Sequence, residues 1–343
     1  MNLSRRLRGN HLAHRGFTLI ELLVSMGILS IIFLITASLL DTSRETWTRT
    51  RSRVEQYREP RVAFEALTRR LADAKLHTYF DYHYDTEGLP ERYVKESELH
   101  FISGDASELV LDAADEPTVP THGVFFQAPF GETANGDLNG MEGLLNAWGY
   151  YVEFGSDEPW APIFTLGNRT PRYRFRLFEF RQPTEELKIY ATDTPEDQLW
   201  FKNHIRPENV NVIAENVIAL VIQPMDSREE TTPLAPEYKF DSRAFEPGKA
   251  IEVQPETLHE LPSLLKVTMV VVDEGTAGRL QGDSDSIPKE LDISSIAPFS
   301  NSRSFDKEIE ALEKRLIKDR IDHRIFRTII PIRNAKFTGG RKN

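Results

Sequence analysis

Hydrophobic and polar positions divide the chain into four stretches. Residues 1–16 are polar and basic. Phe17 to Leu40 is a run of 24 residues interrupted by one acid, Glu21, and its 19 residues from Leu22 to Leu40 carry no charge. As a helix rising ~1.5 Å per residue this run spans about 36 Å, more than a ~30 Å hydrocarbon core. The pattern therefore predicts a transmembrane helix over 17–40. A cleavable secretory signal has an apolar core of only ~7–15 residues; Thr36-Ala37-Ser38 is kept as a minor alternative cleavage site. Residues 41–78 read as an amphipathic stalk helix. Val54, Tyr57, Arg61, Phe64, Leu67, Leu71 and Ala74 recur at spacings of three and four, one face of a helix. Pro60 removes a backbone bond and crowds the preceding turn, so a kink or short break is expected near Tyr57–Pro60.

From Tyr79 to Asn343 the pattern changes to short apolar runs bounded by Gly, Asp and Pro, which predict strands. Those runs are Glu98–Ile102, Glu108–Leu111, Gly123–Gln127, Trp148–Phe154, Arg172–Phe180, Leu187–Tyr190, Asn216–Gln223, Leu264–Val272 and Phe326–Arg333. Arg172–Phe180 alternates and reads as half-buried, with Tyr173, Phe175 and Leu177 on one face and Arg174 and Arg176 on the other. Phe305, Ile309, Leu312 and Leu316 place a surface helix over Phe305–Arg320. Thr133–Gly143, Ser227–Glu260 and Gln281–Ser304 read as long, mobile or variable loops. The expected fold is α+β: a long N-terminal helix, half transmembrane and half amphipathic, packed on a mainly antiparallel sheet.

Charge narrows the partners. The formal net charge is −11, and a product starting at Phe17 would also lose the positive charges of Arg5, Arg6, Arg8 and Arg15. So acidic a chain disfavours nucleic acid as a partner. There is no cysteine, which excludes disulfides, thiolate metal sites and a lipidated cysteine. Arginines flank both ends of the span (Arg5, Arg6, Arg8 and Arg15 before it; Arg44, Arg49, Arg51, Arg53 and Arg58 after it). The positive-inside rule alone therefore does not orient it.

The junction between the basic leader and the apolar run reads Gly16-Phe17-Thr18-Leu19-Ile20-Glu21. A glycine at the boundary, a phenylalanine directly after it and one carboxylate four residues on resemble the class III signal of type IV pilins and type II secretion pseudopilins. The resemblance implies cleavage after Gly16 by a prepilin peptidase and N-methylation of the new terminus at Phe17. It also implies a cytoplasmic N-terminus in a bacterial inner membrane, with residues 79–343 as a periplasmic head. The implied partners are the prepilin peptidase/N-methyltransferase, other pseudopilins, the assembly platform and membrane lipid. Glu21 is an acid in an apolar run, which costs up to ~2.5–3.5 kcal/mol at the centre of a span and less near its end. It can snorkel to the interface. If the cut occurs, it can instead neutralise the Phe17 amine of a neighbouring subunit and couple assembly to charge burial. The layout further resembles J-type and W-type minor pseudopilins. Arg61–Leu71 (RVAFEALTRRL), Val124–Gly131 (VFFQAPFG), Leu145–Gly155 (LNAWGYYVEFG) and Ala214–Ile222 (AENVIALVI) resemble the Verru_Chthon cassette protein C family. The chain departs from J-type pseudopilins in size: its long loops enlarge the head, and a bulky head implies a low-copy or tip position in a filament.

No G-x-S-x-G, HExxH or P-loop is present, so no catalytic residue, cofactor or metal is expected. Gly282-Asp283-Ser284 reads as a turn. Asp283, Asp285 and Glu290, like Asp112, Asp115 and Glu116, lack an EF-hand spacing and read as solvated acids. His77, Asp81, His83 and Asp85 lie among Tyr79, Phe80, Tyr82 and Tyr84. A metal or glycan contact is one reading there; an aromatic helix-to-sheet junction is the simpler one. Two functions follow. One is a non-enzymatic minor pseudopilin that assembles through its N-terminal helix. The alternative is an anchored envelope protein whose head binds a glycan or protein or acts as a hydrolase.

Overall fold

The computed structural model describes residues 18–111, 119–160, 170–190, 199–226, 229–243, 257–281 and 285–335. At 42, 44–46, 48–56 and 229–233 it describes the backbone alone. The chain divides into two units between Glu55 and Gln56.

The first unit is formed by helix α1, Leu19–Gln56. Its stretch Leu19–Asp41 has a mean hydropathy of 2.5, is not buried, and is long and apolar enough to cross a membrane. Leu, Ile, Val, Met and Phe side chains are exposed along this stretch. A helix that is hydrophobic all round needs an apolar solvent rather than an apolar partner on one side. The hydroxyls inside it are provided for locally. Ser25 donates to the Leu22 carbonyl at 2.9 Å, Ser30 to Met26 at 2.8 Å and Thr36 to Ile32 at 2.8 Å. In hydrocarbon each of these groups would otherwise go unpaired.

The helical pattern breaks at Tyr57, and α2 follows at Arg58–Ala72. Pro60 falls in the first turn of α2, where a missing N–H costs nothing. The proline thus opens a new helix instead of bending an old one. α2 buries Pro60, Ala63, Phe64, Leu67 and Leu71. It lies against a six-stranded and a four-stranded antiparallel sheet.

After α2 come β1 (Thr78–Tyr84), β2 (Pro90–Ser97), β3 (Ile102–Asp105), α3 (Ala106–Val110), β4 (His122–Ala128), β5 (Asn146–Ser156) and β6 (Tyr173–Gln182). Then follow β7 (Val210–Glu215), β8 (Val217–Asp226), β9 (Glu229–Pro233), β10 (Phe240–Asp241), β11 (Leu264–Val272), α4 (Glu274–Gln281), α5 (Phe305–Lys318) and β12 (His323–Pro331). The sheet orders are β1-β2, β10-β3-β4-β5-β6-β7 and β12-β11-β8-β9. The fold is α+β, an N-terminal apolar helix followed by a mainly antiparallel domain, as the pattern predicts.

Several local expectations change. Glu108–Leu111 is not a strand: Asp105 accepts from the Ser107 N–H at 2.8 Å and caps the short helix α3. Leu187–Tyr190 forms no strand, but Ile189 is buried. Strand β6 is buried on both faces. Phe175 and Leu177 join the main core with α2, β8 and β11. Phe178 and Phe180 join a second core with Phe125, Tyr151, Trp200 and Phe201. The second face is covered by Trp200 and Phe201 from a segment with no strand periodicity, so alternation along β6 could not reveal it. Its arginines are buried rather than solvated: Arg176 is 2% exposed and donates to the Gly155 and Arg172 carbonyls. Gly149 makes room for this layer. A Cβ there would stand 2.3 Å from the Phe125 ring, which stacks on Phe201 with centroids 3.6 Å apart. The described residues 285–304 are irregular yet packed, with Leu291, Ala297 and Phe299 buried. The expected Ser227–Glu260 loop likewise contains β9, β10 and the buried Tyr238.

Candidate functional site

Gly16 and Phe17 lie outside the described residues. Thr18 and Glu21 are described, and they close the start of α1 on each other. The Thr18 N–H and Thr18 hydroxyl both donate to Glu21 Oε2 at 2.9 Å, and the Glu21 N–H donates back to Thr18 Oγ1 at 3.3 Å. This is a capping box: threonine at the N-cap, glutamate at the third helical position, each satisfying a backbone N–H that the helix cannot. The negative carboxylate also sits at the positive end of the helix dipole. Sequence reasoning gave Glu21 a role only toward the membrane or a neighbouring subunit. The T-x-x-E spacing in Thr18-Leu19-Ile20-Glu21 carried the local role. The two roles are compatible, because both bonds from Thr18 fall on the same oxygen.

The other candidate residues are not brought together. Asp112, Asp115, Glu116 and Asp283 lie outside the described residues. Among the described residues no three His, Asp or Glu side chains are placed to hold a metal. His77, Asp81, His83 and Asp85 are strung along a hairpin that the pattern did not predict. β1 pairs with β2 in the register Phe80↔Lys95, Tyr82↔Tyr93 and His83↔Arg92. Asp85 Oδ1 accepts from the Glu87 and Leu89 N–H groups and makes the turn, with Gly88 at φ +77°. From Phe80 to Tyr84 aromatic and polar residues alternate with the strand period, but the run is short and Tyr79 breaks it at its start.

Two polar clusters of the head were missed entirely. In the first, Arg70 of α2 pairs with Glu179 of β6, and its guanidinium lies 4.5 Å from the centroid of the Trp148 ring. Trp148 Nε1 and the Tyr150 hydroxyl also donate to Glu179, at 3.0 and 2.8 Å. Burial, and then the Glu179 charge, push the Tyr150 hydroxyl far above its ordinary range, so it stays a donor. A buried carboxylate with three donors is satisfied. In the second cluster, the His100 and Asp241 side chains meet at 2.7 Å. Burial alone would raise the Asp241 carboxyl, but the bond to His100, together with Arg243, holds it below its ordinary value. Nearby His259 is driven down to about 4, first by burial and then by the Arg243 charge, so its imidazole is neutral at pH 7. His259 of this group lines a cleft of about 450 Å³ at the foot of the β1–β2 hairpin.

Comparison with known proteins speaks to the N-terminal site. Residues 12–37 match the family described as the prokaryotic N-terminal methylation motif. No curated protein and no solved structure matches the chain. The motif supports a type IV pilin-like protein; it implies processing by a prepilin peptidase and assembly with other pilins. With one N-terminal apolar helix, the chain is consistent with a bacterial single-pass membrane-anchored protein.

Proposed function

We propose that the chain is a non-enzymatic minor pseudopilin, cut after Gly16, methylated at Phe17 and assembled through its N-terminal helix into a filament of the type IV pilus or type II secretion kind. The observation that carries this reading is overlap: the methylation motif at 12–37 takes in most of the helical stretch whose apolar side chains are exposed from Leu19 to Leu40. In this reading α1 lies in the inner membrane before assembly, residues 1–16 face the cytoplasm and the head faces the periplasm. Glu21 then serves twice, capping its own helix and receiving the Phe17 amine of a neighbour. The phrases shared with the Verru_Chthon cassette protein C family support a cassette-encoded member of the J-type or W-type kind, and the size of the head favours a tip position. The test is the intact mass of the protein isolated from its native membrane. A chain beginning at Phe17 and carrying one added methyl group is the expected result. A chain beginning at Met1, or after Ser38, would overturn the proposal.

A further inference from the structure

We propose that one face of the β1–β2 hairpin and the cleft at its foot form a binding site for an acidic carbohydrate. The register puts Phe80, Tyr82 and Tyr84 of β1 on the same face as Tyr93 of β2. These four rings are 71%, 43%, 55% and 63% exposed. Tyr82 packs on Tyr93 with centroids 4.4 Å apart and lies 6.4 Å from Tyr84. The Tyr82 and Tyr93 hydroxyls are hydrogen-bonded to each other. The rings therefore brace one another while their outer surfaces face solvent. A contiguous exposed aromatic strip on a two-stranded ribbon marks an interaction surface.

The strip ends in the cleft, which Phe80 and Lys95 line together with Lys75, His77, His259 and Arg333. Among the described residues the only carboxylate on its wall, Glu260, is tied to Lys95, and Arg333 is paired with Asp73 at 2.6 Å. Lys75 has no carboxylate within ion-pair distance among the described residues. The His259 side chain is only 8% exposed, and its Nδ1 has no hydrogen-bond partner. Its Nε2 lies 3.6 Å from the Glu96 carboxylate, so the imidazole is a fixed part of the cleft wall.

The chemistry of the two parts selects the ligand. Electron-rich ring faces stack on the weakly positive C–H faces of a sugar, whose hydroxyls remain free at the edges for donors and acceptors. Lys75, in the cleft where the strip ends, suits a carboxylate on one sugar. An acyl chain or apolar peptide would leave the donors of the cleft unused. A nucleic acid also stacks on aromatic rings, but it carries a charge on every residue and would meet a chain of net charge −11. A polymer with sparse acidic groups fits both parts. Binding here does not depend on cleavage after Gly16.

The test is calorimetric titration of the full chain in zwitterionic nanodiscs with a hyaluronan oligosaccharide, which carries a carboxylate on every second sugar, and with a neutral chito-oligosaccharide of equal length. The acidic oligomer is expected to bind more tightly. Tyr82→Ala and Tyr93→Ala should each weaken binding about tenfold, and Tyr82→Phe, which keeps the ring, should restore it. Lys75→Ala should abolish the preference for the acidic oligomer and leave the thermal midpoint of the head unchanged. The proposal is overturned if neither oligomer binds, or if Tyr82→Ala and Lys75→Ala leave binding intact. Tighter binding of oligothymidylate, or of vesicles of anionic lipid, would overturn it equally.

Discussion

Helices α1 and α2 are separated by the single residue Tyr57, yet their apolar residues do opposite things. In α1 the leucines and isoleucines from Leu19 to Leu40 are exposed; in α2, Phe64, Leu67 and Leu71 are buried against protein. The difference lies in pattern rather than content. An apolar surface on every side has no protein face to choose and is stable only in a solvent that is itself apolar, whereas a single stripe identifies one packed surface. The methylation motif adjoins the helix of the first kind, and the candidate ligand site belongs to the unit that contains the second.

The contrast breaks most sharply under one substitution made in both helices. Leu67→Ala should destabilise the head by about 4 kcal/mol, because a fully buried side chain is replaced by a cavity. Leu29→Ala, at an exposed position of α1, should leave the denaturant midpoint of the head unchanged. Equal effects would mean that the two helices are not different in kind. A second test sharpens the contrast in polar groups. The α1 hydroxyls bond to their own helix and do not titrate near neutral pH, but the head buries His122. Its Nδ1 accepts from the Ile222 N–H at 3.1 Å, and its Nε2 bonds the Phe299 carbonyl at 3.0 Å. Burial drives it from 6.5 down to about 4. A lowered folded-state value means that the unfolded chain takes up the proton first. The stability is therefore complete above pH 6.5 and is lost as pH falls toward 4, by about 3 kcal/mol from this residue. His259 acts with the same sign. Urea unfolding at a series of pH values should show this slope, and His122→Gln should remove its share. The smallest effect belongs to the capping box. Thr18→Ala should loosen the first turn of α1 by about 1 kcal/mol, seen as faster amide exchange at Leu19–Leu22 in micelles with no change in the head.

What could be read in advance follows from the range of the interaction involved. The span and the stripes of α2 and α5 rest on contacts between near neighbours in the chain. The pattern located β11 at Leu264–Val272 and the four buried positions of α5. The membrane-entry motif is a contiguous string and was equally legible. The second core was not, because the residues that cover Phe178 and Phe180 lie in irregular chain near Trp200. Arg70 with Glu179 and His100 with Asp241 join residues more than a hundred positions apart, and charge alone reads as solvated surface. The aromatic hairpin carried a strand period, since aromatic and polar residues alternate from Phe80 to Tyr84, but the signal is only five residues long and Tyr79 interrupts it. The Thr18–Glu21 box was present as a spacing, but it was masked by the stronger reading of Glu21 as a membrane acid.

The ties of α2 also have a mechanical meaning. Tension on α1 enters α2 through the backbone at Tyr57, its N-terminal end. The ion pairs that join α2 to the rest of the head, Arg70 with Glu179 and Asp73 with Arg333, sit at its C-terminal end. The first turn carries a hold of its own, because Pro60 is buried there against the head. α2 is thus a coupling seated along its whole length, by apolar burial from Pro60 to Leu71 and by ion pairs at its end, so load on α1 reaches both sheets at once.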